Sequence, residues 1–110
     1  MSIDLKEPIA TYFRAKSSGQ HEEVLACFSE NAVVNDTGEN AVLTGKDQIL
    51  QWLSGTVADY NLSTEIIRHE AQGETTTVTA LVSGDFPGSP IEFDYDFVVQ
   101  EGKIVQLTIR

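Results

Sequence analysis

The chain is poor in the residues that build covalent or metal-bound frameworks: its 110 residues include one cysteine, two histidines and three prolines. A lone Cys27 excludes an internal disulfide and any site that needs several cysteines. Its place beside Leu25 and Phe28 favours buried packing over a reactive thiol. His21, near a helix start, and His69, on a strand, suggest no metal triad, and neither a metal nor another cofactor is expected. Positive charge is scarce as well. Seven Lys and Arg stand against seventeen Asp and Glu, a formal charge of −10, which repels phosphate backbones and anionic membrane surfaces. Neither nucleic acid nor membrane is therefore an expected partner. The scattered cations accompany no Gly-rich phosphate loop, and no Ser-His-Asp order appears, which disfavours nucleotide hydrolysis and acyl transfer. Long apolar runs are missing too: Met1 to Pro8 holds no apolar core of signal-peptide length, and no later run approaches membrane-spanning length. A soluble cytoplasmic protein is the expectation.

What remains is ordinary globular material. Hydrophobic residues make up 41% and charged residues 22%, a balance that orders a chain, and the length suits a single domain over 1–110. No repeat, linker or low-complexity segment interrupts it. Ile9, Tyr12 and Phe13 recur at helical spacing, Pro8 suits a first turn and Gly19 a C-terminal stop, which predicts a helix over 5–17. Acids at Glu22 and Glu23 followed by Val24, Leu25 and Phe28 predict a second helix over 20–28. Ala32-Val33-Val34 is β-like, Thr37-Gly38-Glu39-Asn40 is turn chemistry, and Ala41-Val42-Leu43 is a second β-like piece. Ile49, Leu50, Trp52 and Leu53 mark a third helix over 46–57. From Asn61 the period falls to two, with strands near 61–71, 75–84, 91–100 and 103–109. Gly73-Glu74 and Glu101-Gly102 are hairpin-sized gaps, and Pro87-Gly88 matches the central pair of a type II turn.

The pattern predicts an α+β fold, a cone-shaped curved antiparallel sheet wrapped around three N-terminal helices, with Ile9, Phe13, Leu25, Phe28, Ile49 and Leu53 in its core. In the 91–100 strand, Ile91, Phe93, Tyr95, Phe97 and Val99 share one face and Glu92, Asp94 and Asp96 the other. The apolar set should meet the helices and leave both Asp outside.

The order and punctuation resemble the SnoaL-like branch of the nuclear transport factor 2-like (cystatin-like) superfamily. Tyr12-Phe13, Phe28 to Asp36, Gly45 to Trp52, Val82 to Pro90 and Gly102-Lys103-Ile104 carry the resemblance, which spans nearly the whole chain. It implies a cone around a small-molecule pocket, in a superfamily of polyketide cyclases, ketosteroid isomerases, dehydratases, epoxide hydrolases and non-catalytic binding domains. Asp36 resembles the acid that serves as proton-transferring base in cyclase and isomerase members, and Tyr12 the first-helix tyrosine that donates to an oxyanion. A pocket carboxylate and a phenol suit proton abstraction beside a carbonyl. That pairing is the known ketosteroid isomerase logic. Two plainer roles compete: Asp36 can cap the Thr37-Gly38 turn, and Tyr12 can be a core residue. Phe13, Phe28, Trp52, Tyr95 and Phe97 are the candidate pocket wall, with core packing the alternative for Phe28 and Trp52. The functional expectation is an isomerase or cyclase acting on an apolar small molecule with Asp36 as acid or base. The alternative is a non-catalytic ligand-binding or dimerisation module, with a homodimer as the expected assembly.

Overall fold

A computed structural model of the chain describes residues 5–38, 40–60, 63–85 and 87–110, with the backbone alone over 55–60. Among them are three helices, α1 (Ile9–Ser17), α2 (His21–Ala26) and α3 (Gly45–Tyr60). Six strands accompany them: β1 (Phe28–Asp36), β2 (Ala41–Thr44), β3 (Ser63–Gln72), β4 (Thr75–Ser83), β5 (Ile91–Gln100) and β6 (Lys103–Ile109). The strands form one curved, unclosed sheet in the order β2-β1-β6-β5-β4-β3. The fold is therefore the expected α+β cone.

One pairing departs from the antiparallel expectation. β1 and β6 run parallel, with Val34 opposite Leu107 and Asp36 opposite Ile109, while the other four pairings are antiparallel. Alternation fixes which face a residue takes but not which distant strand lies beside it, so this neighbour relation was outside the reach of the pattern. The register shifts in β1–β6, in β3–β4 between Ile66 and Arg68, and in β5–β6 between Val98 and Val99. Such bulges bend a strand and sharpen its twist, which curves the sheet over the helices. The Glu101-Gly102 connection has positive φ at both residues, the requirement of a two-residue type I′ hairpin. Gly88 takes φ +88°, as a type II turn after Pro87 requires.

Three helix boundaries need correction. α3 runs on to Tyr60 rather than ending at 57. α1 begins at Ile9 rather than residue 5, because the residue before a proline is disfavoured in helical backbone and Glu7 precedes Pro8. α2 stops at Ala26 and Phe28 opens β1, paired with Ile104, while the Ile104 N–H donates to Cys27 O at 2.7 Å. Sheet pairing there outweighs the helical spacing of Val24, Leu25 and Phe28. β3 is described from Ser63, so the expected strand start at 61 and 62, like the Phe86 end of the Pro87 turn, lies outside the described residues.

The core joins the helices to the inner face of the sheet. Ile9, Phe13, Phe28, Ile49 and Leu53 are buried as expected, together with Val34, Val78, Leu107 and Ile109. Leu25 is only partly buried, and its neighbour Val24 is the residue that α2 buries fully. Period two sends Ala32, Val34 and Asp36 inward from β1. One carboxylate is thereby carried to the end of an otherwise apolar row.

Candidate functional site

Asp36 is the last residue of β1 and is 8% exposed. Its carboxylate Oδ2 accepts a hydrogen bond from the Trp52 indole Nε1 at 2.9 Å, inside the protein. The described donors of the adjoining turn go elsewhere. The Thr37 N–H and hydroxyl both donate to Ile109 O, at 3.1 and 2.7 Å, and the Asn40 N–H donates to Thr37 O at 3.2 Å. Among the described residues, then, Asp36 does not cap the turn that follows it.

The sequence reading missed a member of this group. Lys16 lies seven residues after Ile9 and four after Tyr12, on the same stripe of α1 that faces the core. Its ammonium donates to the Tyr12 hydroxyl at 3.2 Å. It also sits 4.9 Å from the Trp52 ring centroid, 5.4 Å from that of Tyr12 and 6.0 Å from that of Tyr95. Burial lowers its pKa to about 8, and the nearby negative charge of Asp36 works in the opposite direction. One indole thus has a carboxylate at its N–H edge and an ammonium near its ring. The helical spacing Ile9, Tyr12, Lys16 was the available signal, obscured because lysine ordinarily marks a solvated face.

The seven expected site residues divide by accessibility. Asp36 and Trp52 at 8%, Phe13 at 7% and Tyr95 at 4% keep some exposure, whereas Tyr12 and Phe97 at 0% and Phe28 at 1% are sealed. Tyr12 packs edge-to-face on Phe13, Phe28 and Phe97, with centroids 5.1, 6.0 and 5.3 Å away. Its hydroxyl accepts from Lys16, and burial, aided by Tyr95 and Asp36, raises its pKa well above the usual phenol range. The Tyr95 phenol is raised likewise, chiefly by burial and then by Asp36. Both phenols are therefore proton donors or neutral packing groups across the ordinary pH range.

Asp94 and Asp96 lie on the opposite face of β5, as alternation requires. Asp94 accepts from the Thr79 hydroxyl at 2.7 Å and Asp96 from that of Thr77 at 2.8 Å. Arg110 donates to Asp96 through Nε at 2.8 Å and Nη2 at 3.1 Å. No second acid from β5 joins Asp36 in the interior. A shallow surface depression of about 270 Å³, bordered by Glu7, Thr11, Glu23, Cys27 and Lys103, shares none of the expected site residues. Among the described residues no group of three or more His, Cys, Asp or Glu is placed to hold a metal ion, and no helix is long and apolar enough to cross a membrane.

Three helices against one curved, unclosed sheet are the architecture of the nuclear transport factor 2-like and cystatin-like folds. The sequence matches the SnoaL-like domain over residues 9–107, and the chain belongs to that family. A candidate polyketide cyclase from Sinorhizobium meliloti is similar over 100% of this chain and 99% of its own, at 33% identity and a TM-score of 0.94. A protein of ketosteroid isomerase-like fold from Catenulispora acidiphila, solved with trimethylamine, matches 97% of this chain and 86% of its own, at 19% identity and a TM-score of 0.85. A cystatin-fold protein from Novosphingobium aromaticivorans matches 93% of each chain at 14% identity and a TM-score of 0.78. The last two likenesses concern the fold alone. No functionally curated protein matches the chain in sequence.

Proposed function

We propose that the chain binds an apolar small molecule at the Asp36 end of the cone and that Asp36 moves a proton at a carbon beside a carbonyl, as an isomerase or cyclase would. The observation that carries this reading is the setting of Asp36: an inward carboxylate on an apolar strand, held by the Trp52 indole and, among the described residues, unused by its own turn. Phe13, Trp52 and Tyr95 supply the apolar wall, and the sealed Phe28 and Phe97 back it. Tyr12 acts from behind them, holding the Lys16 ammonium through its hydroxyl. The carboxylate takes the proton from carbon while the C–H electron pair moves toward the carbonyl, giving an enolate and a neutral Asp36; returning the proton elsewhere on the ligand completes an isomerisation. The similarity to the candidate polyketide cyclase, at 33% identity over both whole chains, favours the same chemical class.

The test is deuterium wash-in. With 2-tetralone in D₂O, the unmodified protein should speed exchange at the α-carbon, and Asp36→Asn should lower that rate by about a hundredfold to ten-thousandfold. A rate within about threefold of the parent would remove Asp36 from the chemistry and favour a non-catalytic ligand-binding module.

A homodimer and a cytoplasmic location belong to the same proposal. The outer face of the sheet is made polar by its Thr77, Thr79, Asp94, Asp96 and Arg110 network, so a second copy docks modestly there or uses other strands; sedimentation equilibrium decides between one copy and two. The single free, buried Cys27 suits a reducing compartment, which cell fractionation tests.

A further inference from the structure

Lys16 is part-buried on α1, with its ammonium lying among aromatic rings. Its ammonium is surrounded from every packed element: Tyr12 on its own helix, Trp52 from α3, Tyr95 from β5 and the Asp36 charge from β1. An ammonium has three N–H donors, yet among the described residues Lys16 has one hydrogen-bond acceptor, the Tyr12 hydroxyl, and makes no ion pair. The aromatic faces offset part of the desolvation cost. A methionine of similar length would fill the same space without that cost. The ammonium lies beside the indole that also holds Asp36, so a ligand within reach of the carboxylate brings its oxygen within the field of the ammonium.

We propose that the Lys16 ammonium is the binding partner of a negatively charged oxygen on the ligand, the carbonyl oxygen on which the enolate charge develops. This rests on the Asp36 reading and names the group that completes it. As Asp36 takes the proton, the charge it loses appears on the carbonyl oxygen, and Lys16 meets it there, held in place by Tyr12. No covalent bond to Lys16 forms. The depressed pKa is consistent with this role, since an ammonium short of partners gains most from an arriving anion.

The experiment uses 4-nitrophenol, whose anion resembles an enolate and absorbs visibly, with nitrobenzene as the uncharged control. The unmodified protein should bind the phenolate, and the ionisation midpoint of the bound phenol should fall below its value in water. In Lys16→Met the phenolate affinity should drop about tenfold to a hundredfold, as for loss of one charged hydrogen bond, while nitrobenzene affinity stays unchanged. Asp36→Asn should bind the phenolate more tightly than the parent. In the unmodified protein the phenolate affinity should also decline above about pH 8 as Lys16 loses its proton, a readout that needs no variant.

Equal loss of both probes in Lys16→Met, or a phenolate affinity that is flat through that pH range, would overturn the proposal. So would a covalent adduct at Lys16 after borohydride reduction with 2-tetralone, which would make the side chain an amine nucleophile instead. Failure here with deuterium exchange intact removes Lys16 alone; failure of Asp36→Asn to slow exchange removes the Asp36 reading and with it the enolate role of Lys16.

Discussion

The indole N–H of Trp52, on α3, donates to the carboxylate of Asp36 at the end of β1 across 2.9 Å, and so couples a helix to the sheet through the one buried acid of the described chain. A hydrogen bond to a charged group contributes about 1.5–3 kcal/mol, and a buried partner left unsatisfied costs a similar amount. A double-mutant cycle of Trp52→Phe and Asp36→Ala, followed by chemical denaturation, should therefore give a coupling of about 1 kcal/mol or more. Asp36→Asn alone should be the milder single change, because its amide oxygen still accepts. Additive effects of the two substitutions would show that the contact contributes nothing to stability.

Lys16 predicts a dependence of stability on pH. Its folded pKa of about 8 lies below its ordinary 10.5, so between those values the unfolded chain holds more protons and stability rises with pH. Below about pH 8 the penalty of the buried charge is fully present. Lys16→Met should accordingly melt higher than the parent at pH 7, and the gap should narrow from pH 8 toward pH 10. Tyr12 and Tyr95 act in the opposite sense: their raised values contribute stability that is full below pH 10 and lost above it. Thermal melts of the two proteins across that range check the crossover, and a constant gap would place the ammonium in water.

Phe97 is sealed and touches three other rings, with centroids 5.3 Å from Tyr12, 5.7 Å from Phe13 and 6.3 Å from Tyr95. Phe97→Ala should cost about 3–5 kcal/mol. Val42, 64% exposed on β2, provides the contrast: Val42→Ala should change stability by no more than about 0.5 kcal/mol. Urea unfolding midpoints at equal slope measure both.

On the outer face, the Arg110 guanidinium holds Asp96 below the ordinary carboxylate range, assisted by the Thr77 hydroxyl and opposed by partial burial. The stability this gives is present above the unfolded value and is lost as pH falls through the folded one. Arg110→Gln should raise the Asp96 midpoint followed by carboxyl NMR, with only a small change in melting temperature at pH 7, since the Arg110 partner is half-exposed and screened by solvent.

The sequence exposed most of the fold because local chemistry and tertiary need agree at its turns. Glu101-Gly102 closes β5 onto β6, and the apolar alternation through Tyr95 and Phe97 left Asp94 and Asp96 outside. What escaped it were relations between distant segments. Phe28 has the spacing of a helical residue and becomes a strand residue because Ile104 pairs with it. Asp36 was legible as an inward acid, whereas its tie to Trp52 depends on where α3 crosses β1. Lys16 was hidden by its own chemistry: the helical stripe places it with Ile9 and Tyr12, while its charge argues for solvent, and only coordinates show the rings that overrule that argument.

The parallel pairing of β1 with β6 governs how the molecule can be made. β6 is the final strand in chain order, yet it lies between β1 and β5 in the sheet. While a nascent chain emerges from the ribosome, β1 has no inner neighbour until residues 103–109 have been synthesised, and its row of Ala32 and Val34 stays uncovered on that side. β2 can pair with β1, and β3, β4 and β5 with one another, before it appears, but nothing joins these two parts of the sheet until β6 arrives. Assembly is thus deferred to one late closing event, and a stalled nascent chain lacking β6 would present an open strand edge of the kind that holdase chaperones bind.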